Sequence, residues 1–147
     1  MKAVVTRVTS ASVTIGGEVC GQIGRGFLVL LGVGPNDTEA QAARLADKVT
    51  GLRVFEDENE KMNRNRAAVG GGLLVVSQFT LYADTKSRRP GFTGAAKPDV
   101  AIPLYEAFLS ECARLGFPPQ HGRFGADMQV YSVNDGPVTI LLDTDLM

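Results

Sequence analysis

Two short polar segments mark the places where this sequence could do chemistry, and the first is Ser77-Gln78-Phe79-Thr80. It follows three glycines and an apolar stretch that predicts a strand. Hydroxyl, amide and backbone groups gathered around one aromatic ring at the end of a strand could line a pocket. The same pattern is typical of an edge strand with polar ends, so the segment by itself leaves both interpretations open.

The second segment runs from Asn134 to Thr139 and has Asp135-Gly136-Pro137 at its centre. An Asp-Gly pair between two β-prone stretches predicts a hairpin turn, because both residues tolerate turn conformations. Pro137 does not fit the simplest turn, since proline has no backbone N–H to donate where the next strand begins. A Gly-Pro bond can also be cis, although only about 5–6% of X-Pro bonds in folded proteins are.

The residues present exclude several familiar catalytic sites. His121 is the single histidine, so one chain cannot build a metal cluster from histidines, and no G-x-S-x-G segment presents a serine to a triad. Gly32 and Gly34 match the first glycines of a dinucleotide fingerprint, but Asp37 replaces the third and would repel a pyrophosphate. A tight strand-to-helix turn is therefore favoured there. If the chain is an enzyme, we expect it to act by positioning and backbone donors.

Length and composition predict one domain that covers residues 1–147. Of these 147 residues, 44% are apolar and 21% are charged, which is ordinary for a globular protein. Cys20 and Cys112 form no C-x-x-C pair, and we expect both to be small buried side chains. The longest apolar run, residues 27–33, is too short to span a bilayer. We therefore expect a soluble, cytoplasmic protein that does not contact membranes.

The net charge of −1 argues against a general nucleic-acid binder that follows many phosphates. Any contact with RNA is therefore expected to be local, at one end or one loop of the RNA. The most basic stretch, residues 84–97, holds Lys86, Arg88, Arg89 and Lys97 against one acidic residue. A solvated loop and a set of phosphate contacts are equally good interpretations of it.

Hydrophobic periodicity places these segments on a predicted α+β fold. The β-prone stretches are residues 2–8, 11–15, 18–22, 27–33, 73–79, 128–134 and 138–143, with a short strand at 53–55. Gly16-Gly17 predicts a hairpin. Helical spacing predicts one helix from Thr38 to Gly51 and another from Pro98 towards Leu115. This order predicts curved, partly barrel-like, mostly antiparallel sheets with two helices packed on one side.

Taken together, the two polar segments resemble the D-aminoacyl-tRNA deacylase family, long called D-tyrosyl-tRNA deacylases. Each motif alone is weak, whereas S-Q-F-T and G-P-V-T in this order and at these positions are specific. Residues 3–8, 26–33, 89–92 and 122–128 are also similar to the family, so the resemblance covers essentially the whole chain. One departure is Thr6, where the family more often has glutamine, and it leaves the local support of Arg7 open.

The resemblance implies a homodimeric hydrolase that cuts the ester bond of D-aminoacyl-tRNA. It also implies that glycyl esters on tRNA are accepted and that L-amino acids are rejected by main-chain atoms. Each active site then combines residues of both subunits, namely Ser77, Gln78, Phe79 and Thr80 of one and the cis-bonded Gly136 and Pro137 of the other. Arg7 is the candidate for holding the second motif, and Lys86, Arg88 and Arg89 are candidates for contacts with tRNA phosphates. No metal or cofactor is implied.

Three other classes stay open at this point. They are a non-catalytic module that binds RNA ends or small ligands, a nucleotide-binding protein built on Gly32 and Gly34, and a purely structural dimer. The preferred D-amino acid and tRNA are open, and so is the mechanism. Attack by water assisted by the 2′-OH of the substrate ranks above attack by Thr80, because no base is evident beside that hydroxyl.

Overall fold

The computed structural model describes residues 1–56, 58–59, 61–65 and 70–147, and a curved six-stranded sheet lies at its centre. The strands of this sheet are β1 (Lys2–Ile15), β2 (Glu18–Ile23), β3 (Gly26–Gly32), β6 (Gly72–Ser77), β7 (Gln120–His121) and β8 (Gln129–Asp143). A small second sheet pairs β4 (Phe55–Glu56) with β5 (Met62–Arg64). The helices are α1 (Glu39–Gly51) and α2 (Pro98–Arg114), and short 3₁₀ helices cover Phe79–Tyr82 and Thr144–Leu146.

The long strand β1 organises the main sheet. It pairs antiparallel with β2 and β3 in different halves of its length and with β8 along most of its length. The sheet continues through β6 and β7 in parallel pairing, and β2 comes back into contact with both of them. The sheet is therefore mixed and nearly closed into a barrel, which confirms the predicted α+β class and its mostly antiparallel, barrel-like character.

Two hydrophobic clusters cover the two faces of this sheet. The larger one lies between the sheet and the two helices, and Phe27, Val29 and Val75 from the strands meet Val49 of α1 and Phe108 of α2 there. The smaller one, on the opposite face, includes Val8, Val13, Leu28, Leu74 and Val76. Alternate residues of β3 and β6 thus enter opposite clusters, which explains why both strands are continuously apolar in sequence.

Both predicted helices are confirmed within one or two residues. At the start of α1, the backbone N–H of Thr38 donates to the side-chain oxygen of Gln41 at 2.7 Å. The apolar side chains at helical spacing in α2 and at its C-terminal end are Tyr105, Phe108, Cys112 and Leu115, of which the first three are buried and Leu115 is half-buried. The Tyr105 hydroxyl donates to the Val75 carbonyl at 3.2 Å, and burial raises the pKa of Tyr105 to about 12. Among the described residues, neither helix is long and apolar enough to cross a membrane.

Three expectations about individual segments are wrong. Residues 2–8 and 11–15 form one strand instead of two, because β8 pairs with β1 on both sides of Thr9. Residues 128–134 and 138–143 likewise form the single strand β8, so Asp135-Gly136-Pro137 makes no hairpin turn. The chain keeps pairing with the unbroken edge of β1 instead of reversing. Cys112 is buried as expected, whereas Cys20 is exposed on the short strand β2.

Candidate functional site

The S-Q-F-T segment is fixed in place by backbone contacts. Strand β6 ends at Ser77, and the N–H of Gln78 donates to the Leu31 carbonyl of β3 at 2.8 Å. The chain then folds into the 3₁₀ helix Phe79–Tyr82, in which the N–H of Leu81 donates to the Gln78 carbonyl at 3.3 Å. The predicted strand thus ends two residues early, and the motif lies on the turn that follows it.

A cavity of about 310 Å³ opens beside this segment. Ser77, Gln78 and Phe79 form one wall, and residues 124–128 together with Val130 form the other. Thr80 does not line this cavity. Its hydroxyl oxygen lies 2.5 Å from the side-chain nitrogen of Gln78, which donates to it. The segment therefore presents polar groups to a cavity, while its threonine is held by a neighbouring amide.

Residues 124–128 were missed as site residues by the sequence analysis. The only signal for them was the similarity of residues 122–128 to the family, since Asp127 is the single ionisable residue among them and belongs to no recognisable catalytic motif. Gly122 fits closely under this stretch, because a Cβ at that position would lie 2.5 Å from the sulfur of Met128. The position of residues 124–128 beside the cavity depends on packing between segments that are distant in the sequence. The local sequence carries little information about such packing.

An exposed aromatic pair joins the S-Q-F-T segment to the basic loop. Phe79 is 54% exposed and packs edge-to-face on Phe92, with ring centroids 5.1 Å apart. Asp84 and Gly91 close the loop with two backbone hydrogen bonds of 2.7 and 2.9 Å. The loop between them carries three exposed basic side chains, those of Lys86, Arg88 and Arg89. The loop is thus anchored at its base next to the cavity, with its charges turned to solvent, where they could meet a large anion.

The second motif lies on a bulge in the strand β8. Thr6 pairs with Thr139 and Val8 pairs with Asn134, so Arg7 alone lies opposite residues 135–138. The peptide bond between Gly136 and Pro137 is cis, as the family resemblance predicted. Gly136 has a φ of +118°, a conformation that side-chain-bearing residues rarely adopt. The bulge therefore replaces the predicted turn and pushes this motif out of the pairing pattern.

Arg7 holds the bulge from below. Its side chain is only 4% exposed, and its Nη1 donates to the Val54 carbonyl at 2.7 Å. Its Nε donates to the Asp135 carbonyl at 3.2 Å and lies 3.4 Å from the Asp135 carboxylate. A Cβ at Gly136 would lie 2.9 Å from Nη2, so the main chain approaches the guanidinium closely. Charge-assisted hydrogen bonds of this kind are stronger than neutral ones, which suits a support role.

In the part of the chain that the structure describes, the second motif lies apart from the cavity beside the first. Gly136 and Pro137 lie outside the cavity beside Ser77, and neither contributes to its walls. The outer part of β8 is also unusually apolar for an exposed strand. Its exposed side chains include Tyr131 at 55%, Val133 at 57% and Leu141 at 77%. Tyr131 and Val133 lie on one side of the bulge and Leu141 on the other, and exposed apolar side chains of this kind are typical of surfaces that bind another protein.

The described residues carry no second set of catalytic groups that would compete with this site. His121 is exposed on β7, and its Nδ1 lies 2.7 Å from the carbonyl oxygen of the neighbouring Gly122. Among the residues that the structure describes, no three His, Cys, Asp or Glu side chains are grouped so that they could hold a metal ion.

The sequence matches a known family along nearly its whole length. The family described as D-Tyr-tRNA(Tyr) deacylase matches residues 4–143. The D-aminoacyl-tRNA deacylase of Roseiflexus castenholzii is 59% identical over 145 residues, which cover 98% of this chain and 92% of that protein. The D-aminoacyl-tRNA deacylase of Symbiobacterium thermophilum is 57% identical, with 99% of this chain and 97% of that protein covered.

Two solved structures are similar in fold. A c-Myc DNA unwinding element binding protein superposes with a TM-score of 0.92 and 44% identity, covering 98% of this chain and 99% of that one. A probable eukaryotic D-amino acid tRNA deacylase superposes with a TM-score of 0.83 at 15% identity, covering 96% and 97%. The second likeness concerns the fold alone, whereas the first extends to the sequence.

Proposed function

Because the chain belongs to the D-aminoacyl-tRNA deacylase family, we propose that it hydrolyses the ester bond between a D-amino acid and tRNA. The products are the free amino acid and free tRNA. The observation that carries this proposal is the near-complete sequence match to relatives described by that activity. The cavity beside Ser77, Gln78 and Phe79 supports the proposal, because it offers polar groups beside a space that a substrate could enter.

The proposed chemistry needs little from side chains. An aminoacyl ester next to a ribose hydroxyl is already labile, so the backbone N–H groups of Phe79 and Thr80, which follow the paired Gln78, supply much of the catalysis by polarising its carbonyl. Water adds to the carbonyl carbon while the 2′-OH of the substrate relays its proton. The bond to the 3′ oxygen then breaks, and that oxygen leaves with a proton. Thr80 is disfavoured as a nucleophile, because its hydroxyl accepts a hydrogen bond from the Gln78 amide, which cannot remove its proton.

The proposed site is completed by a second copy of the chain. The exposed apolar side chains of β8 give a surface for a homodimer, and the bulge with Gly136 and Pro137 projects from the same strand. Main-chain carbonyls of this bulge would accept hydrogen bonds from the α-amino group of the substrate. With the amino group and the ester carbonyl fixed, an L side chain points into the bulge and clashes, while a D side chain points away. Glycine has no side chain and passes the same filter.

The basic loop has a proposed role in holding tRNA. Lys86, Arg88 and Arg89 are exposed beside the aromatic pair of Phe79 and Phe92. Contacts of such residues with phosphates position a nucleic acid without reading its sequence. The three residues would therefore hold the acceptor end while the terminal adenosine enters the cavity.

A hydrolysis assay with three substrates tests the proposed function. The purified protein is incubated with D-Tyr-tRNA, L-Tyr-tRNA and Gly-tRNA, and the released amino acid is measured over time. We expect release from the D-tyrosyl and glycyl esters and none above the spontaneous rate from the L-tyrosyl ester. A module that only binds RNA ends would accelerate none of the three. Equal acceleration of the D and L esters would support ester hydrolysis but would contradict the proposed selection between D and L substrates.

A further inference from the structure

Gly32 and Gly34, which resemble part of a nucleotide-binding loop in sequence, lie directly behind the S-Q-F-T segment. Strand β3 ends at Gly32, one residue after the carbonyl of Leu31 that accepts the Gln78 N–H. The 3₁₀ helix Phe79–Tyr82 therefore begins over the end of β3. The two glycines form the surface on which this short helix rests.

The space above both glycines is filled by the helix. A Cβ at Gly32 would lie 3.1 Å from the Gln78 carbonyl oxygen and 3.1 Å from Cβ of Leu81. A Cβ at Gly34 would lie 3.1 Å from the Tyr82 hydroxyl and 3.2 Å from the Tyr82 ring. Contacts this short force a neighbour to move by a few tenths of an ångström.

Tyr82 is half-buried and makes two further contacts. The Lys2 ammonium lies 4.6 Å from the centre of the Tyr82 ring. The backbone carbonyl oxygen of Tyr82 would be 3.3 Å from a Cβ at Gly94. Gly34 is itself held, because its N–H donates to the Asp37 carboxylate at 2.7 Å. A methyl group added at Gly34 therefore cannot retreat with its loop, and the Tyr82 ring has to give way by a few tenths of an ångström.

We propose that Gly32 and Gly34 are positioning residues that, through Leu81 and Tyr82, set the height of the segment 78–80 above the end of β3. Gly32 acts on the backbone of the segment directly, and Gly34 acts through the Tyr82 ring. The catalytic consequence rests on the proposed function, since the same segment supplies the donors to the ester carbonyl. The packing itself does not depend on that function.

The first arm of the test is kinetic. Gly34→Ala is expected to lower kcat for D-Tyr-tRNA by about tenfold with a smaller change in KM, because displacing catalytic groups by up to 1 Å costs up to about 100-fold. Gly32→Ala is expected to lower it further. Gly24→Ala is the matched control, because nothing lies within 4 Å of a Cβ at that position. A role in stability alone would lower the melting temperature and leave kcat unchanged.

The second arm is a rescue experiment whose main measurement, the backbone amide shifts, does not require the protein to be active. Backbone amide shifts of residues 78–82, measured by NMR, are expected to move in Gly34→Ala and to return towards their original values in the double variant Gly34→Ala/Tyr82→Ala. Shortening Tyr82 frees the space that the added methyl group takes, so kcat recovers in parallel. The shifts of the double variant are compared with those of Tyr82→Ala alone, which completes the double-mutant cycle. If a glycine variant does not fold, Tyr82→Ala alone still shows whether removing the ring moves residues 78–81.

The outcomes separate this inference from the proposed function. If the unmodified protein releases no amino acid, the proposed function fails, and the amide shifts alone decide whether the glycines position the segment. If it is active and Gly34→Ala leaves both kcat and the amide shifts unchanged, the inference is overturned. It is also overturned if Gly34→Ala moves the shifts and the double variant shows no recovery.

Discussion

The two motifs of the proposed site are held by opposite means. The segment 77–80 follows a buried central strand, and backbone hydrogen bonds and two glycines fix it from behind. The bulge at 135–138 interrupts an exposed edge strand, and a single buried side chain, Arg7, ties it down. The first motif should therefore tolerate removal of its own side chains, whereas the second should fail when one distant side chain is removed.

Separating the proposed homodimer is expected to have the largest effect, because it would remove the bulge from every proposed site. Val133→Asp places a charge on the apolar face of β8 and should give a monomer without measurable deacylation. Light scattering gives the mass, and the D-Tyr-tRNA assay gives the activity. Val19→Asp, at a similarly exposed valine on β2, is the control. A fully active Val133→Asp monomer would show that one chain is sufficient.

Removing Arg7 tests the side-chain support of the bulge. Arg7→Ala leaves the carbonyls of Val54 and Asp135 without their donor, which should cost about 1–3 kcal/mol of unfolding free energy for each group left unsatisfied. Activity on D-Tyr-tRNA should fall by roughly 100-fold, since the bulge is no longer held in position. Arg114→Ala, at an exposed ion pair with Glu111, should change neither quantity noticeably. Unchanged chiral selectivity and rate in Arg7→Ala would refute the support role.

The basic loop tests whether the region beside the first motif also binds the RNA. Replacing Lys86, Arg88 and Arg89 with alanine should weaken tRNA binding. The slope of log K against log salt should fall by about 0.7–0.9 for each phosphate that is no longer neutralised. The turnover of bound substrate should stay near its original value. Filter binding at several salt concentrations gives the slope, and an identical slope would mean that the loop is only a solvated surface.

The smallest effect is expected at the threonine of the first motif. Thr80→Ala should keep kcat within about threefold, because backbone groups and the 2′-OH of the substrate supply the catalysis. A nucleophilic threonine would instead cost several orders of magnitude on removal. Single-turnover kinetics on D-Tyr-tRNA distinguish the two cases. Thr80→Ser serves as the comparison, because it keeps the hydroxyl that a nucleophile would need.

Most of the fold could be predicted from the sequence, because the elements have strong local signals. The continuous apolar run at residues 27–33 and the helical spacing between Thr38 and Gly51 both led to the correct element. The errors lie in segments whose structure is decided by pairing with strands that are distant in the sequence. Nothing local reveals that β1 would hold both halves of β8 in register, so Asp135-Gly136-Pro137 was interpreted as a turn. The second wall of the cavity, residues 124–128, depends on packing in the same way.

The bulge in β8 also affects the tendency of the chain to aggregate through its exposed strand edge. In the described part of the chain β8 pairs only with β1, so it leaves a row of backbone donors and acceptors along its outer side. A long, regular edge of this kind is a template on which unrelated strands can add. The bulge divides it into two shorter stretches, and Pro137 contributes no N–H at the break. The bulge thereby makes the outer edge of β8 a poorer template for the addition of unrelated strands.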